Sequence, residues 1–299
     1  MLIRESTLAD VPQNDLLRQA LYPWHAASLE TQRIWFTRVP AEARKLRLCA
    51  EIDGQIVGFL EAGLLLHTSE PGIVSVTLHT HPEFHRQGIG SALYERLEAY
   101  LPGVGARRVQ AWALDVPASV GWARARGFTA SAAEHFQVVD PRVLPPVPAV
   151  PSGVTVASAA EGGPEVFYQV EDVASRDEPG DVPFEGMPYA DWFDRHWGTV
   201  DHDVSMICFV DGVPAATTAL TTNRRTGRAL SSGSDTLPEF RGRGLIKYLK
   251  SVSLRRAAEA RITAAFTSND DTNAPMLAIN RWLGYQPVAA SRSMVKTLG

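Results

Sequence analysis

The chain has 299 residues, of which 45% are hydrophobic and 21% charged, values typical of a soluble globular protein with two domains. Lys and Arg number 29 against 33 Asp and Glu, and the net charge of −4 excludes a general electrostatic attraction to nucleic acid or to an anionic membrane. The two cysteines, Cys49 and Cys208, supply neither a disulfide framework nor metal-ligand spacing, and the first residues form no apolar signal segment. We therefore expect a cytoplasmic protein without a bound metal.

The predicted elements occur in the same order twice, at an offset of about 157 residues. The first half predicts, in chain order, a hairpin over 46–60 that turns at Asp53-Gly54, a strand over 72–80, a helix with Leu93, Leu97 and Leu101 on one face, a short strand from Val109, a helix ending at Gly127 and a last strand. The second half predicts a hairpin over 206–220 that turns at Asp211-Gly212, a strand over 229–237, a helix with Leu245, Leu249 and Val252, a strand from Ile262, a helix ending at Gly284 and a last strand. This order indicates two α/β domains, each with a mixed sheet.

A proline-rich segment separates the two halves. Five prolines fall within 141–151, and each fixes φ and removes an amide donor, so the segment cannot continue a helix or a central strand. The predicted division is an N-terminal domain over 1–140, a stiff linker over 141–152 and a C-terminal domain over 153–299.

A glycine-rich turn joins a strand to a helix in each half. The first contains His85, Arg86, Gln87, Gly88, Ile89, Gly90 and Ser91, and the second contains Arg241, Gly242, Arg243, Gly244, Leu245 and Ile246. Backbone amides at the start of a helix point outward at the positive end of the helix dipole, and glycine permits a close approach by a ligand. Two such turns in matching contexts, each flanked by arginine, predict the binding of an anionic phosphate group.

These turns resemble the signature of the GNAT superfamily of N-acetyltransferases, and the resemblance extends over both halves. It implies that the turn amides bind the pyrophosphate of acetyl-CoA and that the preceding strand, which ends at Thr236 and Leu237 in the second half, separates from its neighbour to admit the pantetheine arm. The first turn has His85 where the family prefers Arg or Gln. The second has Ile246 where the family has Gly or Ala, so its side chain must point away from the phosphates if the turn is to bind CoA.

The family also has an Asn that contacts the cofactor, followed seven residues later by a Tyr that protonates the leaving thiolate. In the second half these positions are Asn273 and Asn280, and in the first half they are Val116 and Ala123. An amide at Asn280 donates a hydrogen bond to sulfur but cannot act as an acid. The resemblance thus favours the second half as the catalytic copy.

No standard general base is found at the family's positions on the strand before the second turn, and Asp235 is the candidate substitute. In the first half, His79, His81 and Glu61 are either bases or polar residues at strand ends. Cys49 and Cys208 are predicted to be buried structural thiols rather than nucleophiles.

The acceptor site in this family is built by the first two helices and the loop between them. In the second half that region is rich in acidic and aromatic residues, and the candidate ligands for a cationic amine are Asp172, Asp177, Glu178, Asp181, Tyr189 and Trp192.

The sequence therefore predicts a monomeric or homodimeric enzyme that transfers an acetyl group from acetyl-CoA to a small-molecule amine by direct attack. The alternative is an acetyl-CoA-binding or regulatory module in which one or both copies are inactive.

Overall fold

The N-terminal half forms six strands and four helices, and those from residue 46 onward follow the predicted order. The computed structural model describes residues 1–177 and 181–299. The strands are β1 (Leu2–Glu5), β2 (Leu46–Ile52), β3 (Gln55–Leu64), β4 (Ile73–Thr80), β5 (Arg108–Leu114) and β6 (Thr129–Val139). The helices are α1 (Val11–Leu21), α2 (Leu29–Thr37), α3 (Ile89–Tyr100) and α4 (Pro117–Arg124).

The C-terminal half repeats this order with one short additional helix, α5. Its strands are β7 (Val154–Ser158), β8 (Met206–Val210), β9 (Val213–Asn223), β10 (Arg228–Thr236), β11 (Ala264–Asp270) and β12 (Gln286–Thr297). Its helices are α5 (Ala159–Gly162), α6 (Pro164–Ala174), α7 (Tyr189–Arg195), α8 (Leu245–Glu259) and α9 (Ala274–Leu283).

The two hairpin turns have the geometry that their sequences predict. Asp53 and Gly54 have φ of 50° and 78°, and Asp211 and Gly212 have 49° and 81°. Left-handed backbone at both central residues defines the type I′ turn, whose twist matches that of the flanking strands. Local sequence therefore fixes the pairing of β2 with β3 and of β8 with β9.

All twelve strands form one sheet, in the order β1-β2-β3-β4-β5-β12-β6-β11-β10-β9-β8-β7. The pairs β4–β5 and β10–β11 are parallel and the other neighbours are antiparallel, so the sheet is mixed, as expected for the α/β class. The two halves meet at its centre.

The halves exchange their last strands at this centre. β12 lies between β5 and β6, with Ser291 opposite Leu114, while β6 pairs with β11, with Val139 opposite Ala265. The last strand of each half therefore hydrogen-bonds to strands of the other half. The segment over 141–152, which separates the halves along the chain, forms no helix or strand and lies against α8, where Arg255 donates to the carbonyl oxygen of Pro145 at 2.7 Å.

An aromatic cluster fills the junction between the halves. The ring of Trp24, from the segment between α1 and α2, stacks on Phe136 of β6 with a centroid distance of 4.0 Å, and Phe266 of β11 belongs to the same cluster. Trp24 is 8% exposed. The N-terminal helical layer thus packs on a strand of the C-terminal half, and the junction has a hydrophobic core of its own.

We expect Trp24→Leu to lower the free energy of unfolding by about 2 kcal/mol, because leucine retains part of the apolar contact but leaves a cavity beside Phe136. Urea denaturation followed by circular dichroism measures the loss. Trp112→Leu is the matched control, because Trp112 on β5 is 49% exposed and its replacement should cost less than about 0.5 kcal/mol. Equal losses in the two variants would contradict the assignment of a core to this junction.

Candidate active site

The second glycine-rich turn connects β10 to α8 with its backbone open on the outer side. Gly242 and Gly244 have φ of 76° and 75°, and a Cβ atom added at either residue would meet no atom within 4 Å. Gly244 is the N-cap of α8, so the first amides of the helix face the turn. The turn therefore has both the space and the donors for an anionic group.

Two arginine side chains flank this turn, and one of them is paired with a carboxylate. Arg241 donates from Nε to the carbonyl oxygen of Thr236 at 3.1 Å, and its Nη2 forms an ion pair with Asp177 at 2.9 Å. The guanidinium of Arg243 lies 5.6 Å from the ring centroid of Phe240. Asp177, predicted as an acceptor ligand, instead lies at the second glycine-rich turn.

The side chain of Ile246 points into the protein interior. It is buried in an apolar cluster that includes Leu245, Leu249 and Met276. The branched residue at the family's Gly/Ala position therefore leaves the outer side of the turn open.

The first turn has the same backbone path but different surroundings. Arg86 adopts the left-handed conformation, with φ of 63°, at the position of Gly242, and Gly88 is the N-cap of α3. A Cβ at Gly90 would lie 3.5 Å from the indole of Trp122. Arg126 stacks on that indole at 3.7 Å and donates to Ser91 Oγ at 2.8 Å, so an aromatic side chain borders this turn.

A β-bulge distinguishes β10 from its counterpart β4. The ladder between β9 and β10 shifts register between Ser231 and Gly233, whereas the ladder between β3 and β4 pairs continuously from Gly58 to Leu64. β10 pairs with β11 only over its first three residues, Arg228 to Leu230. The remainder of β10 therefore separates from β11 and bends at the bulge, which opens a cleft in the sheet next to the second turn.

A cavity of about 320 Å³ adjoins the bulge between α6, the segment over 182–187, α7 and β10. We call it the C-half cavity. It is lined by Tyr168, Glu171, Asp172, Ser175, Val182, Phe184, Met187, Trp192, His196, Ser232, Gly233 and Asp235. Its charged lining consists of three carboxylates, and no Lys or Arg belongs to the lining among the described residues.

Asp172 accepts from Arg176 at 2.9 Å through Oδ2, while its Oδ1 is buried without a donor in the described part of the chain. Such a site suits a cation.

Three of the predicted residues, Asp172, Trp192 and Asp235, come together in the C-half cavity. Tyr189 stacks against Trp192 at 6.0 Å but donates its hydroxyl to Glu165 at 3.1 Å, outside the lining. Asp181 also lies outside the lining, since its carboxylate accepts from Ser131 and its carbonyl oxygen accepts from Arg108. Glu178 lies outside the described residues.

Sequence reasoning identified Asp172 but missed the other residues that α6 and its C-terminal end contribute to this cavity. Tyr168, Glu171, Asp172 and the C-cap residue Ser175 follow the i, i+3, i+4, i+7 spacing of one helical face, and all four line the cavity. That spacing was a usable signal, because it combines acidic and aromatic residues on a single face.

The two asparagines of α9 have different environments. Asn273 is the N-cap of the helix and its Oδ1 accepts from the amide of Met276 at 3.3 Å. Asn280 is completely buried, and its Nδ2 donates to Oδ1 of Asn269 on β11 at 2.6 Å. Asn280 therefore holds α9 against the strand that forms the far wall of the cleft.

His79 of β4 and Asp235 of β10 are equivalent residues in the two halves. Each is followed by a threonine that pairs with the neighbouring strand, Thr80 with Gly58 of β3 and Thr236 with Ala216 of β9. Burial lowers the pKa of His79 to about 3, with smaller contributions from nearby Arg18 and His25. The imidazole is therefore neutral in the folded protein near pH 7.

The unfolded chain binds a proton at this histidine below about pH 6.5, whereas the folded protein does not bind it until about pH 3. Stability is therefore lost as the pH falls through that window, by at most about 1.4 kcal/mol per pH unit. We expect His79→Gln to remove this component, so that between pH 7 and pH 5 the variant loses about 2 kcal/mol less than the wild type in urea unfolding. His85→Gln, at an exposed histidine, is the control. Identical losses in wild type and His79→Gln would contradict a buried neutral His79.

Both cysteines are buried. Desolvation raises the pKa of Cys208 to about 11 and also raises the pKa of Cys49. Thiols in such surroundings stay protonated near neutral pH and react poorly as nucleophiles.

In the described part of the chain no helix is both long and apolar enough to cross a membrane.

Residues 11–128 match the family model described as the Acetyltransferase (GNAT) family. Over the whole chain the structure is similar to a tandem GNAT protein from the clavulanic acid biosynthesis pathway, with a TM-score of 0.75 and 20% identity over 100% of this chain and 98% of that one. A GCN5-related N-acetyltransferase from Sphaerobacter thermophilus is similar at a TM-score of 0.72 and 18% identity, over 99% of this chain and 95% of that one. No curated protein matches the sequence. At these identities the solved structures show a shared fold.

Proposed function

Residues 11–128 match the model of the GNAT family of acetyltransferases, and the whole chain has the fold of tandem GNAT proteins. We propose that the C-terminal half transfers an acetyl group from acetyl-CoA to a small cationic amine. The main support for the proposal is the part of β10 that bulges and separates from β11. The second glycine-rich turn follows the end of this part, and the acidic C-half cavity lies beside it. In the proposal the protein acts in the cytoplasm as a monomer or a homodimer.

The second turn fits the diphosphate of acetyl-CoA. The free space beside Gly242 and Gly244 lets phosphate oxygens reach the backbone amides of the glycine-rich turn and those of the first helical turn of α8. Arg243 adds positive charge, whereas Arg241 is already paired with Asp177. Thr236 and Leu237 border the cleft that would take the pantetheine arm, and Asn273 stands at the start of α9. Bound acetyl-CoA supplies the thioester that the amine attacks.

The C-half cavity would orient the amine. Glu171, Asp172 and Asp235 attract its positive charge, and the rings of Tyr168 and Trp192 offer apolar and cation–π contact. When the amine nitrogen is held beside the cleft, it attacks the thioester within one complex instead of in a bimolecular encounter. This orientation lowers the free-energy barrier to acetyl transfer.

Asp235 is the proposed proton acceptor. It lies on β10 three residues after the bulged Ser232 and is 6% exposed, so it stands between the cavity and the cleft. The bound ammonium first loses a proton to the Asp235 carboxylate, which releases it to water, so that the neutral nitrogen has a lone pair for attack. As the C–N bond forms, a second N–H proton becomes acidic and passes to Asp235, while the C–S bond breaks and the thiolate takes a proton from water. Backbone amides at the bulge, where the ladder with β9 is interrupted, would polarise the thioester carbonyl. Asn280 acts as a positioning residue through Asn269.

The test is release of free CoA thiol from acetyl-CoA in the presence of an amine panel. We expect turnover with amines that combine a cation and an apolar body, such as histamine and 2-phenylethylamine, and little with glutamate, whose carboxylates the C-half cavity repels. Calorimetric binding of acetyl-CoA without turnover of any amine would contradict the proposal and support a binding or regulatory module.

A further inference from the structure

The N-terminal half contains a second cavity, of about 250 Å³, between α1, α2, β3 and the end of α7. We call it the N-half cavity. Arg18, Arg38, Lys45 and Arg195 line it, and Glu61 is its one carboxylate among the described residues. Its position between the first two helices and the sheet corresponds to that of the C-half cavity, but the sign of its charge is reversed.

The single carboxylate is already neutralised. Glu61 accepts from Lys45 at 2.9 Å through Oε1 and from Arg47 at 2.7 Å through Oε2. Although burial opposes its ionisation, these two cations hold the pKa of Glu61 below its usual value. Lys45 and Glu61 therefore cancel each other, and the excess positive charge of the N-half cavity comes from its arginines.

Arg18 forms no ion pair with a carboxylate in the described part of the chain. No oxygen there accepts a hydrogen bond from its guanidinium, which lies 5.6 Å from the ring centroid of Phe59, and Glu61 attracts its charge only from beyond ion-pair distance. The nearby carboxylate of Asp15 is bound instead by His25 at 2.8 Å and Gln32 at 2.7 Å. Desolvation lowers the pKa of Arg18, yet a guanidinium remains protonated at neutral pH. A partly buried arginine without an ion-pair partner at a cavity wall destabilises the folded protein unless an anion pairs with it.

Aromatic surface surrounds this charge. Trp35 is 42% exposed although it borders the cavity, and Phe36 and Phe59 line the same space. Exposed aromatic surface next to unpaired arginine fits a ligand with an anionic head and an apolar body.

We propose that the N-half cavity binds a small aromatic carboxylate, with its carboxylate paired to Arg18 and its ring against Trp35, Phe36 and Phe59. The guanidinium fork matches the two oxygens of a carboxylate, and Arg38 and Arg195 at the same wall strengthen the attraction. The ligand would touch both halves, because Arg195 lies at the end of α7, whose Trp192 lines the C-half cavity.

The test is calorimetry on the full chain without acetyl-CoA, using phenylacetate and indole-3-acetate. We expect one site per chain for these carboxylates, and no binding at that site by phenylacetamide or 2-phenylethylamine, which keep the ring but lack the anion. Arg18→Gln should weaken the binding of phenylacetate about 10-fold or more. The control is Arg33→Gln, which removes the same charge from an exposed position of α2 and should leave affinity unchanged.

Thermal unfolding of ligand-free protein separates a binding role of Arg18 from a structural one. If Arg18 serves a ligand, Arg18→Gln keeps or raises Tm, because it removes an unpaired charge, and it abolishes the rise in Tm that phenylacetate produces in the wild type. Three results would overturn the proposal: binding of neither carboxylate at 10 mM, equal affinity in Arg18→Gln and wild type, or tighter binding of the amine. None of these depends on acetyl transfer, so the proposed function is tested separately.

Discussion

Gly244→Glu is expected to reduce the affinity for acetyl-CoA about 100-fold or more and to abolish acetyl transfer. The new carboxylate would occupy the open space at the N-cap of α8, where it repels the diphosphate and covers the amides that should bind it. Calorimetric titration with acetyl-CoA and the CoA-release assay measure the two effects.

Gly88→Glu provides a matched control in the first turn. Gly88 is likewise a left-handed N-cap with no atom within 4 Å of an added Cβ, so both variants carry the same backbone strain and the same added charge. We expect Gly88→Glu to retain most of the transfer activity. If it instead loses activity while Gly244→Glu keeps it, the catalytic half is the N-terminal one and the proposed function of the C-terminal half is wrong.

Asp235→Asn should lower kcat for acetyl transfer about 100-fold to 1,000-fold, with a smaller effect on acetyl-CoA binding. The amide preserves size and hydrogen bonding on β10 but cannot accept the proton released when the amine attacks. Steady-state kinetics with the best amine of the panel, together with calorimetry for acetyl-CoA, separates the two quantities.

Asp203→Asn is the control for this substitution, because the Asp203 side chain is 74% exposed and pairs with Arg224 at the surface. It should leave kcat unchanged. An Asp235→Asn protein with wild-type kcat would exclude Asp235 as the proton acceptor and leave proton transfer to water. A protein that binds acetyl-CoA normally but has lost activity would agree with the proposed role.

Residues of the candidate site were predictable to different degrees. The backbone conformation of the two glycine-rich turns was predictable because glycine between a strand and a helix is a local signal for left-handed backbone, and Gly244 indeed has φ of 75°. The residues that line the C-half cavity were harder to predict, because a loop rich in Asp does not specify which carboxylate faces a cavity. Asp177 and Asp181 pair with Arg241 and with Ser131, residues remote in sequence, while Glu171 faces the C-half cavity.

The amino-acid sequence by itself determined the duplicated order of elements, the type I′ turns at Asp53-Gly54 and Asp211-Gly212, and the strand–turn–helix units, because backbone conformation at turns and helix starts depends on neighbouring residues. Only the tertiary structure decided that β6 and β12 are exchanged between the halves, that β10 alone of the two equivalent strands carries a bulge, and that the two cavities have opposite charge. The exchange arises from pairing between segments more than 100 residues apart along the chain, whereas the bulge and the C-half cavity arise from contacts between different elements of the C-terminal half. No local pattern encodes which of the competing pairings buries the most apolar surface.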